Sequence, residues 1–144
     1  MRKRRWQPLV WLAAVLLLAA AYLTGNCFFT VTDYRVVHPQ LPAAFEGLRI
    51  ALVADLHNHP WGSRLTDAIA RQQPDLIAIT GDLIDSFYTN TDTALAFVKE
   101  AVQIAPVYYV SGNHEARAQQ KTPDLPAQLE AAGVTLISPQ FANS

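Results

Sequence analysis

The sequence predicts an α/β protein assembled from βαβ layers and preceded by one membrane-spanning helix. Three observations carry that expectation. Three short apolar runs, Arg49 to Ala54, Leu76 to Thr80 and Val107 to Val110, are bounded by turn residues and read as buried parallel strands. Segments of helical periodicity separate them, the pattern of βαβ units. Each run passes directly into a polar cluster: Asp55-Leu56-His57, Gly81-Asp82 and Gly112-Asn113-His114-Glu115.

The first 32 residues form a unit of their own. Arg2, Lys3, Arg4 and Arg5 precede a stretch from Trp6 to Thr32 without a charged residue, within which Leu9 to Leu23 is wholly apolar. A membrane helix needs about 20 mainly apolar residues, reached here if Trp6 and Thr24 to Phe29 share the interface. Trp6, Trp11, Tyr22, Phe28 and Phe29 stand near the two ends, as in aromatic belts. The basic residues would hold the N-terminus in the cytoplasm, giving a single-pass cell-membrane protein with residues 33–144 outside. A cleaved signal peptide, with Ala19-Ala20-Ala21 as the small-residue site, is the alternative, and it exports the same domain. Arg4-Arg5 followed by Trp6-Gln7-Pro8 fits a twin-arginine signal poorly. Asn26 is too large to precede a lipidated Cys27.

Whole-chain charge is −1; without the four basic residues at the start, 7 Lys and Arg face 12 Asp and Glu, a net of −5. With no basic stripe, nucleic-acid binding is not expected. A single cysteine excludes an internal disulfide framework and a multi-cysteine zinc site.

Along the domain, Tyr34 to His38 reads as a lead-in strand stopped by Pro39 and Pro42, and Gly47 precedes the first central strand, Leu48 to Ala54. A helix is expected over Ser63 to Gln73, with Leu65, Ala68 and Ile69 on one face and Ser63 as its cap. Pro74 ends it before the strand Leu76 to Thr80. The next helix, about Thr91 to Ile104, aligns Ala94, Leu95, Val98, Ala101 and Val102 against Lys99, Glu100 and Gln103. Pro106 separates it from the third strand. A last helix near Pro123 to Ala132, closed by Gly133, leads to a strand at Val134 to Ile137. Ser138 to Ser144 carries no structural signal. The order is β-βα-βα-βα-β with right-handed crossovers. The last strand is left with no partner helix or partner sheet.

In an open α/β sheet the strand C-termini line one edge, where ligands bind. The clusters recur at intervals of 27 residues (55 to 82) and 31 (82 to 113), about one βαβ unit each. Residues distant in sequence therefore converge. Asp55 and His57 alternate along a strand end and can point to one side. A carboxylate with an imidazole suits Zn, Fe, Mn or Ni rather than calcium. Gly81 lets the backbone turn sharply before Asp82, with Asp85 three residues on. Asn113 offers a neutral oxygen and His114 an imidazole able to exchange a proton. No Gly-rich phosphate loop follows a strand, which argues against a nucleotide-binding domain.

These residues resemble the calcineurin-like metallophosphoesterase superfamily, whose pattern is Asp-x-His, Gly-Asp-x-x-Asp, Gly-Asn-His-Asp/Glu, a lone His and Gly-His-x-His. The first three motifs stand here as Asp55-Leu56-His57, Gly81-Asp82-Leu83-Ile84-Asp85 and Gly112-Asn113-His114-Glu115. With the segment before it, the chain looks like the membrane-anchored, exported branch with phosphodiesterase-like and lipid-linked pyrophosphatase-like enzymes. The resemblance implies a two-sheet sandwich flanked by helices and two divalent metal ions (Mn, Fe, Zn or similar). It implies hydrolysis of a phosphodiester or pyrophosphate, in a phosphorylated small molecule or lipid-linked substrate, by a metal-activated water. Asp55 and His57 would bind the first ion, Asp82 would bridge both and Asn113 would bind the second. His114 would be the general acid, and Asp85 would hydrogen-bond its imidazole.

The last two family motifs have no counterpart, since no histidine follows His114. By the resemblance the first ion keeps Asp55, His57 and Asp82, and the second only Asp82 and Asn113. The expectation is a partial domain over residues 33–144 lacking its C-terminal half, impaired as an enzyme. A non-catalytic, membrane-tethered metal-binding remnant is the alternative. His59, beside Pro60 and Trp61, is expected as a loop histidine over the site, and His38 receives no role.

Overall fold

Over the apolar N-terminal stretch the chain forms one helix, α1 (Gln7–Cys27), of 21 residues with Pro8 in its first turn. The computed structural model describes residues 6–137, without the side chains of residues 23–27. Among the described residues no helix is long and apolar enough to cross a membrane. The four basic residues before Trp6 and the tail from Ser138 lie outside the described residues. The chain divides into two units between Val37 and His38.

The lead-in strand does not form. Residues 28–38 are irregular, and Tyr34, Val36 and Val37 are exposed. Strand propensity alone does not order a segment that finds no hydrogen-bonded neighbour. A short 3-10 turn, Ala43–Phe45, follows Pro42.

In the second unit four strands alternate with helices: β1 (Ile50–Val53), α2 (Ser63–Arg71), β2 (Leu76–Ile79), α3 (Thr91–Ala101), β3 (Val107–Tyr109), α4 (Asn113–Ala118), α5 (Leu125–Ala131) and β4 (Val134–Leu136). The sheet is wholly parallel in the order β1-β2-β3-β4. One register row joins Ala51, Ile77, Val107 and Val134; another joins Val53, Ile79, Tyr109 and Leu136. These rows, with Ile69, Ala94, Phe97, Val98, Ala101, Leu125 and Leu129, form the core. Ile77, Ile79, Val98 and Leu129 are fully buried, each worth about 1.5–3 kcal/mol of apolar transfer.

All three strand-to-strand connections step the same way across the sheet. Right-handed crossovers then place every connecting helix on one face. The opposite face is bare among the described residues: Leu52 is 68% and Ile50 55% exposed. The helical layers of the expected sandwich are therefore present on one side, and no second sheet lies on the other among the described residues. The last strand is not isolated as expected. It pairs with β3, and α5 packs against it through the buried Leu125 and Leu129.

Element ends differ from expectation where backbone geometry decides them. Gly62, at φ 55 and ψ −151, precedes α2, in a region nearly reserved for glycine. Ser63 is thus the first helical residue rather than the cap, and its carbonyl accepts from Thr66 Oγ1 at 3.2 Å. Asn90 caps α3, its Oδ1 accepting from the Asp92 N–H at 2.9 Å. The buried face of α3 is Ala94, Phe97, Val98 and Ala101, with Leu95 and Val102 half-buried. α4 was not expected; it begins inside the third polar cluster.

Candidate metal centre

The three clusters stand at the C-terminal ends of β1, β2 and β3, and small apolar plugs set their direction. Leu56 is buried between Asp55 and His57, and Leu83 and Ile84 are fully buried between Asp82 and Asp85. Burying these plugs leaves the intervening polar groups at the strand edge. The first loop turns through three left-handed non-glycine residues, Asp55 (φ 55), His57 (φ 47) and Asn58 (φ 57). Such residues cost about 1–2 kcal/mol each. Backbone pairing to the second loop holds them: His57 N–H donates to Asp82 O at 2.9 Å and Asn58 N–H to Leu83 O at 3.2 Å. Asn58 also donates from Nδ2 to Tyr88 O.

The second and third loops touch backbone to backbone. A Cβ on Gly81, which has φ 93, would lie 2.5 Å from Gly112 Cα, and one on Gly112 would lie 2.5 Å from Asp82 N. Both positions require glycine because the loops have no room between them. Glu115 locks this contact. Only 7% exposed, it accepts from the N–H groups of Gly112 (2.8 Å), Asp82 (2.9 Å) and Ile84 (3.0 Å). The bond to Gly112 is half of a capping box at the start of α4. The neighbouring Tyr109 hydroxyl is buried without a hydrogen-bond partner. Burial, and after it the Glu115 charge, pushes its pKa far up.

Asp82 accepts from the His114 N–H through Oδ1 at 2.9 Å. With its amide oriented to satisfy both neighbours, Asn113 donates to Asp82 Oδ2 at 3.2 Å and accepts from Arg117 Nη1 at 3.2 Å. The His57 and His114 rings meet edge-on, centroids 4.4 Å apart. His114 Nδ1 accepts from the Ser86 N–H at 3.1 Å. Asp85 Oδ2 lies 3.9 Å from that nitrogen, while its Oδ1 accepts from Phe87 N–H at 2.6 Å and Tyr88 N–H at 3.1 Å. Those backbone bonds, Tyr88 first, hold the Asp85 carboxyl below its ordinary range, with a smaller contribution from His114.

His57, Asp82 and His114 each present a ligand atom, all within 4.8 Å of one another. His57 Nδ1 is buried and without a hydrogen-bond partner. A buried, orphaned imidazole nitrogen beside a carboxylate fits a divalent metal, and the mixed nitrogen and oxygen set suits first-row transition ions. Asp55 is outside that tight group. Its side chain is 70% exposed and lies 3.5 Å from His57 Nε2.

Of the six residues expected at the site, His57, Asp82 and His114 meet, Asn113 lies against Asp82 and Asp55 stands outside the group. Asp85 does not make the expected hydrogen bond to the His114 imidazole, whose Nδ1 accepts from the Ser86 N–H instead. Glu115, Asn58 and the Ser86 N–H were given no role by sequence reasoning. The acidic last position of the third motif was the one available signal for Glu115. His59 is not in the cluster. Its ring lies tilted against Trp61, centroids 3.9 Å apart, and lines a cavity of about 220 Å³ with Leu65 and Phe97. His38 Nδ1 accepts from the Gln40 N–H at 3.2 Å, within its own turn.

Comparison with known proteins agrees with this geometry. The sequence profile of the calcineurin-like phosphoesterase family matches residues 48–137, the stretch that holds the sheet and all three clusters. A bovine (Bos taurus) transmembrane protein with metallophosphoesterase domain is 34% identical over 90 residues, 59% of this chain and 20% of that protein. A zebrafish (Danio rerio) protein of the same description is 28% identical over 90 residues, 59% of this chain and 21% of the relative. The matched stretch thus spans about a fifth of the length of these relatives. A profile match over more than half of the chain, centred on a sheet edge with this donor set, places the protein in the calcineurin-like phosphoesterase family.

Proposed function

We propose that this chain carries a metal-dependent phosphoester-hydrolysing centre, tethered to the membrane by α1 and acting outside the cytoplasm. The observation that carries the reading is the convergence of His57, Asp82 and His114 from three strand ends. His57 and Asp82 would hold the cation, with Asp55 alongside; Asn113 fits a ligand role only with its amide turned, because its oxygen now faces Arg117. Divalent ions there would supply Lewis acidity at the phosphoryl oxygens and an activated water.

The chain's own groups divide the remaining work. Because Nδ1 of His114 accepts the Ser86 N–H, the neutral ring keeps its proton on Nε2. That tautomer is a donor, ready to protonate a leaving oxygen, and it does not offer Nε2 to a metal. The Asp82 carboxylate is oriented by the His114 N–H, and Glu115 fixes the two loops that carry them. The tethering is supported by the charge-free stretch from Trp6 to Thr32, within which Leu9 to Leu23 is wholly apolar. The word transmembrane in both relatives' names supports it too. The substrate class is a phosphorylated small molecule or a lipid-linked phosphoester.

The test is manganese-dependent hydrolysis of an aryl phosphodiester by the full chain. His114→Ala should lower turnover by about 10²–10⁴-fold and leave manganese affinity within twofold. Unchanged turnover would remove His114 from the mechanism. The second reading, a non-catalytic metal-binding protein, follows if His114 is a third ligand of the same cluster. In that case the wild type shows no turnover and His114→Ala weakens manganese binding.

A further inference from the structure

The loop Ser86–Asn90 follows the second cluster, and its backbone is held far more firmly than its side chains. Asp85 Oδ1 accepts from Phe87 N–H at 2.6 Å and Tyr88 N–H at 3.1 Å. Asn58 Nδ2 and the Asn90 N–H (2.8 Å) both donate to Tyr88 O. Lys121 Nζ donates to Ser86 O at 3.2 Å, and the Ser86 N–H is itself bonded to His114 Nδ1. Yet Phe87 is 83% and Tyr88 82% exposed. The two rings take no part in holding the loop. Large aromatic side chains held at the surface by a hydrogen-bonded backbone are suited to a ligand rather than to the core.

The loop is tied directly to the centre, since one of its N–H groups meets the His114 ring and Asp85 stands between them. We infer that Phe87 and Tyr88 form an apolar subsite that receives an aromatic ester group of the substrate while its phosphoryl group lies at His57, Asp82 and His114. This rests on the proposed centre and adds the substrate class: aryl phosphoesters. Asn58 is a positioning residue for the subsite. Its left-handed turn brings it beside His57, and its amide fastens Tyr88, so one residue sets the spacing between the ligand loop and the aromatic loop.

Manganese-loaded full chain is titrated calorimetrically with phenylphosphonate and with methylphosphonate, which share a head group and differ in the ring. The wild type should bind phenylphosphonate at least about tenfold tighter. Phe87→Ser/Tyr88→Ser should bring the two affinities within about twofold, with methylphosphonate affinity and melting temperature unchanged because both rings are exposed. Asn58→Asp, which tolerates the left-handed conformation but cannot donate to Tyr88 O, should lose part of the phenyl preference. Methylphosphonate binding with no phenyl preference in the wild type overturns the subsite and leaves the metal centre standing. Failure of both ligands to bind overturns both. A preference retained in the double variant, together with lost binding to phosphatidylcholine vesicles, would assign the rings to a membrane contact and overturn the subsite.

Discussion

The centre has two halves of opposite character. On the β2 and β3 side the carboxylates are answered inside the protein: Glu115 takes three backbone N–H groups, Asp82 takes the His114 N–H, and two glycines let the loops touch. The left-handed Asp82 and the unpartnered Tyr109 hydroxyl are the exceptions. On the β1 side, three residues are left-handed, Asp55 points to solvent, and His57 Nδ1 and Asn58 Oδ1 are buried without partners. The closed half is a scaffold, and its cost is met by its own hydrogen bonds. The open half stores more of the strain and more of the unsatisfied polar atoms, which is how a site looks when its missing partner is a ligand rather than another side chain.

Substitution at each half should break this contrast most visibly. Glu115→Ala strands one buried and two half-buried N–H groups and should cost about 2–4 kcal/mol in urea unfolding. Asp55→Asn, on the open side, keeps a residue that tolerates the left-handed backbone and should change stability by less than about 0.5 kcal/mol while weakening metal binding. Equal losses in stability would show that the two halves are not different in kind.

A smaller effect sharpens the picture of the closed half. Burial raises the folded-state pKa of Tyr109 above its ordinary 10.0, so its contribution to stability is complete below pH 10 and lost as pH rises further. Tyr109→Phe should therefore flatten the decline of stability above pH 10. At neutral pH it should shift stability by less than about 1 kcal/mol, because the hydroxyl has no partner to lose. Parallel alkaline curves for the two proteins would contradict the assignment.

The contrast also explains what the sequence made legible. The strands were readable because Ile77, Ile79 and Val107 are apolar in short runs, and the sheet edge followed from the polar residues at their ends. The glycines at 81 and 112 were readable as turns, but their close approach depends on two loops 31 residues apart. Glu115 was the largest omission. Its acceptance of three N–H groups requires the start of α4, a helix too short to announce itself by periodicity. Tyr34 to His38 failed as a strand for the converse reason: its composition is right, but it pairs with no strand among the described residues. The Nδ1 bond from Ser86 was equally out of reach, since it arises from the way Leu83 and Ile84 sink into the core.

The central claim is that the open half is a metal site built around His57 and Asp82. The most direct test is a manganese titration of the full chain, followed by electron paramagnetic resonance, in the wild type and in Asp82→Asn. The account predicts binding by the wild type and a loss of more than about tenfold in the variant, with the fold retained. Equal affinity in the two proteins, or no binding by the wild type, would contradict it.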